Sequence, residues 1–78
     1  MRELAYREYL TRYRKVDGAP LKDSSINTYC QDIRYVERNL GVEIESFLRS
    51  DLERALPRSI PSGYGTAVNH YRAFLRER

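Results

Sequence analysis

The stretch that decides the fold runs from Asp23 to Gly41 and reads DSSINTYCQDIRYVERNLG. Its apolar residues recur every three or four positions, at Ile26, Tyr29, Cys30, Ile33, Val36 and Leu40. This spacing predicts an amphipathic α-helix with one buried stripe. Asp23 or Ser24 is a candidate N-cap, because its side-chain oxygen can accept a hydrogen bond from a free helix N–H. Gly41 suits the left-handed position that follows a helix end.

A first helix is predicted ahead of this central one. The segment from Arg2 to Lys15 has the same three-and-four periodicity of apolar residues. Gly18 and Pro20 then interrupt the pattern, since both residue types favour turns over helix.

A short third helix is predicted after Gly41. Ser50 is followed three residues later by Glu53, which is the spacing of a capping box. This pattern predicts a helix from Asp51 to Leu56, preceded by a single turn around Ser46 to Leu48. Pro57 ends it, because the residue before a proline avoids the helical region.

Ser62 is a candidate N-cap for a last helix from Gly63 to Arg76. Gly63 and Gly65 each weaken its first turn by up to about 1 kcal/mol. Two uses for these glycines remain open, namely close packing against another helix and close approach of the backbone to a ligand. The sequence therefore predicts an all-α fold, a compact four-helix bundle with a short third helix. Residues 1–78 form one domain in this interpretation, with short loops that leave neighbouring helices nearly antiparallel.

The charge balance permits a nucleic-acid partner without requiring one. Twelve arginines and two lysines against 11 acidic residues give a net charge of +3. Arginine suits bidentate contacts to phosphate and to base edges, and it equally suits surface ion pairs with the acids present.

Several functional classes are excluded by what the sequence lacks. Cys30 is the single cysteine, so no internal disulfide or cysteine-based zinc site is predicted. No stretch resembles a signal peptide or reaches the roughly 18 apolar residues of a membrane span. We therefore expect a reduced, cytoplasmic setting.

No catalytic group is recognisable. His70 has no evident base, nucleophile or metal partner, and the carboxylates alternate with arginines at helix-pair spacing, as in Glu3 with Arg7 and Glu8 with Arg12. We expect a protein that is not an enzyme and that has neither cofactor nor metal.

The informative polar residues cluster at two predicted helix starts. Each start combines free backbone N–H groups with hydroxyl side chains and a nearby cation, which is how helix N termini bind anions. On a shared face, the two ends would bind two DNA phosphates, and side chains one turn further in would reach groove edges. The candidate DNA-binding residues are Lys22, Ser24, Asn27, Thr28, Gln31, Arg34, Arg58, Ser62, Thr66, Asn69 and Arg72. Simple N-capping by the serines is the alternative explanation.

Three motifs together resemble a known family. They are Leu21-x-x-x-Ser25-Ile26-x-Thr28-Tyr29-x-x-Asp32-Ile33-Arg34, then Ser50-Asp51-Leu52, then Ser62 to Leu75 with Arg72-Ala73-Phe74-Leu75. The pattern is similar to the N-terminal core-binding domain of phage integrases and other tyrosine recombinases, and it covers nearly the whole chain. Lys22 stands where the family usually has serine or threonine, and Gly63 and Gly65 replace better helix formers.

The resemblance implies a SAM-like orthogonal bundle that binds double-stranded DNA through the starts of its second and fourth helices. Ser25, Tyr29, Asp32 and Ile33 are then mainly structural. The family's catalytic residues lie in a following domain, so the resemblance implies a module excised from a longer recombinase or nuclease. The resemblance also implies a cytoplasmic, nucleoid-associated location in a bacterial, phage or archaeal system.

A protein-interaction module is the alternative function. Tyr6, Tyr9 and Tyr13 on the first helix exceed what a small core needs, and Tyr35 could extend the same patch. The corresponding partner is a second helical protein, or a second copy of the chain in a weak self-association.

Overall fold

Four α-helices and one short 3-10 helix make up the computed structural model, which describes residues 1–77. The elements are α1 (Glu3–Arg12), α2 (Asp23–Leu40), α3 (Ile44–Leu48), a 3-10 turn (Ser62–Tyr64) and α4 (Gly65–Arg76). In this part of the chain there is no β-strand, and one isolated bridge pairs Arg14 with Pro20. The predicted all-α fold with a short third helix is confirmed.

The core lies where the apolar stripes of α1, α2 and α4 meet. On α2, the predicted stripe is buried at Ile26, Cys30, Ile33 and Val36, with Tyr29 and Leu40 half-buried at its edges. The other two helices contribute Tyr6, Tyr9 and Leu10 from α1 and Ala67, Val68, Tyr71 and Phe74 from α4. The Tyr6 hydroxyl donates to the Ala67 carbonyl at 3.0 Å, so this buried phenol keeps a hydrogen-bond partner.

Helix α1 runs against α2, as the short predicted loops require. Glu3 at the start of α1 pairs with Arg34 in the second half of α2. Arg7, one turn later on α1, donates to the Asn27 side chain at 2.7 Å. Advancing along α1 therefore means moving back along α2 toward its N terminus.

The structure confirms the predicted C-terminal end of α2 but not the predicted N-cap. Gly41 follows the helix with φ 73°, in the left-handed region that was predicted for it. The N-cap is Lys22, whose carbonyl accepts the Ile26 N–H at 3.0 Å, and no side chain caps this end. The prediction of Asp23 or Ser24 as N-cap is wrong, because the helix begins one residue earlier and both residues lie inside its first turn.

The position of the third helix was predicted incorrectly. It spans Ile44–Leu48, where Ile44, Phe47 and Leu48 are buried, and Asp51–Leu56 is not helical. The Asp51 side chain accepts the Glu53 N–H at 2.9 Å and its carbonyl accepts the Arg54 N–H at 3.1 Å. The aspartate thus closes a local turn, which competes with the capping box that the sequence suggested.

Helix α1 is shorter than predicted and ends at Arg12 instead of Lys15. Tyr13 takes extended backbone angles of φ −63° and ψ 142°. The chain has to leave the helix there because Arg14 pairs across the following loop with Pro20. The Tyr13 ring nevertheless packs near that of Tyr9, with centroids 6.4 Å apart.

The start of α4 also departs from the prediction. A 3-10 turn precedes the helix, its N-cap is Pro61, and no side chain of either element caps it, so Ser62 is not an N-cap. A Cβ atom built on Gly63 or Gly65 would meet nothing within 4 Å. Close helix packing therefore does not explain these glycines.

Candidate nucleic-acid interface

The N termini of α2 and α4 do not form the shared end that a two-point phosphate clamp requires. Tyr64, just before α4, stacks on Tyr35 of α2, and His70 further along α4 contacts Tyr29. Helix α4 therefore travels back toward the beginning of α2. Tyr35 lies 12 residues after Asp23, which is about 18 Å along a helix axis. The free N–H groups at the two ends are far apart and point in opposing directions, so the predicted clamp is wrong.

A different polar surface is present on the side of α2 that faces away from the core. Because the buried stripe occupies one side, four residues opposite it are exposed: Ser24, Thr28, Gln31 and Arg38. Tyr35 lies on the same side between Gln31 and Arg38, and it is half-buried against Tyr64. We call the four exposed residues the outer row of α2. Ser24 and Arg38 are 14 residues apart, so the row is about 21 Å long. Exposed Lys22 precedes it by two positions.

The outer row contains hydroxyl, amide and guanidinium groups and no carboxylate. Asp32 lies at its edge and is half-buried, and burial raises the pKa of this carboxyl above its usual range. Arg38 makes no ion pair with any described residue. Arg38 is not among the candidate residues predicted from the sequence, although it follows Gln31 by seven positions, a spacing that keeps residues on one helix face.

Asn27 and Arg34 lie on the flank of α2 that faces α1, and both are already bound there. The Asn27 side-chain oxygen accepts the Arg7 guanidinium at 2.7 Å, and Arg34 pairs with Glu3. Glu3 also accepts Arg7 at 3.0 Å, and the hydrogen bond from Arg7, with help from Arg34, holds the Glu3 pKa below its usual range. The two arginines share one carboxylate, and Asp23 lines the same groove as Arg7 and Asn27, so this flank has no excess positive charge.

The predicted α4 contacts divide into a structural pair and an exposed group. Arg72 donates to the Asn69 side chain and to the Arg54 carbonyl, each at 2.6 Å. Its Nε is buried without a partner among the described residues. Arg72 is half-buried, and its hydrogen bond to the Arg54 carbonyl links the irregular segment 49–61 to α4. The exposed members of the set are Arg58, Ser62, Thr66 and Asn69, of which Asn69 accepts a hydrogen bond from Arg72.

The stacked tyrosines bring the start of α4 alongside α2. The Tyr35 and Tyr64 ring centroids are 4.4 Å apart and their planes differ by 11°. Ser62 and Thr66 are each two residues from Tyr64, so both lie near Tyr35 along the axis of α2. In the sequence, Tyr35 lies between Gln31 and Arg38 of the outer row. This places two of the predicted hydroxyls close to the middle of α2, although not at its N terminus.

Positive charge is distributed around the molecule instead of forming one continuous basic face. Five arginines pair with carboxylates: Arg2 with Glu45, Arg7 and Arg34 with Glu3, Arg12 with Glu77 and Arg76 with Glu53. The predicted Glu8–Arg12 pair is replaced by the Arg12–Glu77 contact at 3.8 Å. Cations without an ion pair among residues 1–77 are Lys15, Lys22, Arg38, Arg49 and Arg58, together with the carbonyl-bound Arg14, Arg54 and Arg72.

The remaining titratable candidates are packed among apolar groups. His70 lies between the rings of Tyr13 and Tyr29, at centroid distances of 4.8 and 5.0 Å, and burial lowers its pKa. Cys30 is fully buried, which raises the pKa of its thiol. In the described part of the chain, no group of three histidine, cysteine or acidic side chains is placed to hold a metal ion. None of the helices there has the length and apolar character needed to cross a lipid bilayer.

Comparisons with protein-family models, with curated proteins and with solved structures gave no match. The resemblance to core-binding domains therefore rests on the sequence motifs alone.

Proposed function

We propose that this chain is a non-catalytic DNA-binding module and that the outer row of α2 is the surface that meets the duplex. The observation that carries the proposal is the set of exposed hydrogen-bonding side chains in the outer row, which Tyr35 interrupts between Gln31 and Arg38. An unpaired cation lies at each end of α2: Arg38 within the row, and Lys22 at the N-cap on another side of the helix. These cations are 16 residues apart, or about 24 Å along the helix. A single helix of this kind fits the major groove of B-DNA, which is about 12 Å wide.

Each member of the row has a chemical role in such a contact. The Gln31 amide matches the N6 and N7 atoms of adenine, and the Arg38 guanidinium matches O6 and N7 of guanine. The Ser24 and Thr28 hydroxyls suit phosphate oxygens, which fix the register of a protein on DNA without reading sequence. Lys22 lies next to the free N–H groups at the start of α2, where a phosphate is favoured.

The proposal retains part of what the family resemblance implies. In both, the second helix contacts DNA and the chain itself has no catalytic role. The resemblance implies contacts from the starts of the second and fourth helices, whereas the proposal uses the outer row of α2, with Ser62 and Thr66 beside it. A catalytic domain, if the parent is a recombinase or a nuclease, belongs to another part of that protein.

The alternative of a protein-interaction module has lost its main support. Tyr6 and Tyr9 are buried in the core, and Tyr35 is covered by Tyr64. The tyrosines that suggested a docking patch are thus used to hold this molecule together.

The proposal is tested by titrating the isotope-labelled protein with a mixed-sequence duplex at low salt and following its amide resonances. We expect the largest shifts at Ser24, Thr28, Gln31 and Arg38, with little change around Arg49, which follows α3 and lies beside Leu75 of α4. Shifts confined to residues outside α2, or no shifts at all, would contradict the proposal.

A further inference from the structure

The loop between α1 and α2 carries exposed side chains that the proposed α2 contact does not use. Arg14, Lys15 and Val16 follow Tyr13, the C-cap of α1, and all three are exposed. Among the large apolar residues that the structure describes, Val16 is the most exposed. Arg14 and Lys15 lie outside α1, although the sequence periodicity predicts them inside the first helix.

This loop is held in one shape by its own hydrogen bonds. Arg14 pairs with Pro20 across the loop, and the Lys15 N–H donates to the Ala19 carbonyl at 2.9 Å. The Gly18 N–H donates to the Lys15 carbonyl at 2.8 Å, and Gly18 has φ 84°, which a residue with a side chain rarely adopts. We call residues 14–20 the wing. Its side chains are displayed from a fixed turn, so ordering them on a ligand costs little backbone entropy.

The charges of the wing are oriented toward solvent. Arg14 Nη1 donates to the Thr11 and Tyr13 carbonyls at 3.0 and 2.9 Å, which anchors the guanidinium while its Nη2 and Nε donate to no described acceptor. Lys15 makes no ion pair with the described residues. Lys22 follows Pro20 by two positions, so three cations gather at the end of the molecule where α2 begins.

Two carboxylates share this end and limit its charge. Asp17 uses one oxygen to accept the Ala19 N–H at 2.9 Å inside the wing, and Asp23 is the first residue of α2. Three cations against two carboxylates leave one net positive charge. The excess is small, so the wing suits an auxiliary contact beside a main binding surface and not an independent site.

We infer that the wing is a second DNA-contacting element, which binds the phosphate strand bordering the groove that α2 enters. This inference rests on the proposed function. With α2 in the groove, the loop that leads into its N terminus lies against a flanking strand. Arg14 and Lys15 then contact phosphate oxygens. Val16, the next residue, contacts the apolar edge of a deoxyribose.

The test compares duplex binding of the wild-type chain with that of Lys15→Ala and Val16→Ser across a range of salt concentrations. Losing one phosphate contact lowers the slope of log K against log[salt] by about 0.9 and weakens binding about eightfold at 0.1 M salt. Lys15→Ala should show both effects, and Val16→Ser should weaken binding without changing the slope. Arg49→Ala is the matched control, because it removes an exposed, unpaired cation that lies outside the wing and the outer row, beside Leu48 and Leu75.

The outcomes separate the two proposals. If wild type binds and variants of the outer row bind more weakly, while both wing variants bind as wild type does, the wing inference is wrong and the proposed function stands. If wild type binds no duplex, both are wrong. If Lys15→Ala and Arg49→Ala reduce the slope equally, charge is acting nonspecifically and the wing has no special role.

Discussion

Tyr35 of α2 and Tyr64 before α4 stack almost parallel, with ring centroids 4.4 Å apart and 11° between their planes. Both rings lie at the boundary between core and solvent. The contact fixes where α4 begins along α2 and, with it, which polar residues lie next to the outer row. The function proposed for α2 therefore depends on a pair of aromatic residues outside the buried stripe.

This stack should contribute measurably to stability. A double-mutant cycle of Tyr35→Ala and Tyr64→Ala should give a coupling free energy of about 0.5–1.5 kcal/mol, the range for aromatic pairs beyond their buried area. Urea unfolding of the four proteins measures it. Tyr35→Phe is the control, since it keeps the ring and should keep most of the stability. Additive losses in the cycle would show that the two rings do not interact in solution.

Glu37 should be the acidic residue of α2 whose loss is most destabilising. Its Oε2 accepts both the Met1 ammonium at 2.7 Å and the Ile44 N–H at 2.9 Å, so one carboxylate joins the start of α1 to the start of α3. Hydrogen bonds to charged groups are worth about 1.5–3 kcal/mol, and Glu37→Ala should lower the free energy of unfolding by that amount.

Glu43 provides the matched control for Glu37. It approaches the same Met1 ammonium at 3.5 Å, but its side chain is 73% exposed. Exposed ion pairs typically contribute about 0–1 kcal/mol, so Glu43→Ala should change stability little. Equal losses for Glu37→Ala and Glu43→Ala in urea unfolding would mean that the two hydrogen bonds to the half-buried Glu37 carboxylate are not what stabilises this end.

His70 should make stability depend on pH below neutrality. Burial between Tyr13 and Tyr29 lowers the pKa of His70 from its ordinary value of 6.5, so the folded state prefers the neutral ring. The contribution is fully present above pH 6.5 and is lost as the pH falls below that value toward the depressed folded pKa. Urea midpoints at pH 7.5 and pH 5.5 should therefore differ for wild type.

A His70→Phe variant isolates this effect from the carboxylates, which titrate at lower pH. The variant keeps an aromatic ring against Tyr13 and Tyr29, and its stability should fall less than that of wild type between the same two pH values. A wild-type protein as stable at pH 5.5 as at pH 7.5 contradicts the expected burial of the ring.

Arg72 should affect folding and not DNA recognition. Arg72→Ala removes the hydrogen bonds to Asn69 and to the Arg54 carbonyl, and it should cost about 1–3 kcal/mol of unfolding free energy. Arg72→Lys should not restore stability, since a lysine lacks the fork that reaches both acceptors. If Arg72→Ala were as stable as wild type but no longer bound DNA, Arg72 would be a DNA-contacting residue and this prediction would be wrong.

The sequence was sufficient to predict α2, because its buried stripe, its polar opposite side and Gly41 all indicate the same helix. It was not sufficient for residues 42–61. There the burial of Ile44, Phe47 and Leu48 places the helix early, and the side chain of Asp51 closes a turn where a capping box was expected. Short segments of this kind are decided by tertiary contacts that periodicity does not contain.

The candidate site was predictable in part for the same reason. Exposure of Ser24, Thr28 and Gln31 follows from the periodicity of α2, and Arg38 was available from the same pattern. The role of Arg72 was not, because its acceptor is a backbone carbonyl 18 residues away in a segment predicted to be helical. The opposing directions of the two helix N termini depend on which rings meet across α2 and α4, and spacing alone does not reveal that pairing.

Fluorescence anisotropy of a labelled duplex at low salt, with wild type, Gln31→Ala/Arg38→Ala and Arg49→Ala, tests the central claim most directly. A good side-chain contact to a base contributes about 1–3 kcal/mol of discrimination, so the double variant should bind at least about tenfold more weakly. Arg49→Ala should remain within a few-fold of wild type, and circular dichroism should show all three folded. Equal affinity of wild type and the double variant, or no wild-type binding at protein concentrations up to about 0.1 mM, the weak limit of nonspecific association, contradicts the assignment of α2 as the DNA-contacting surface.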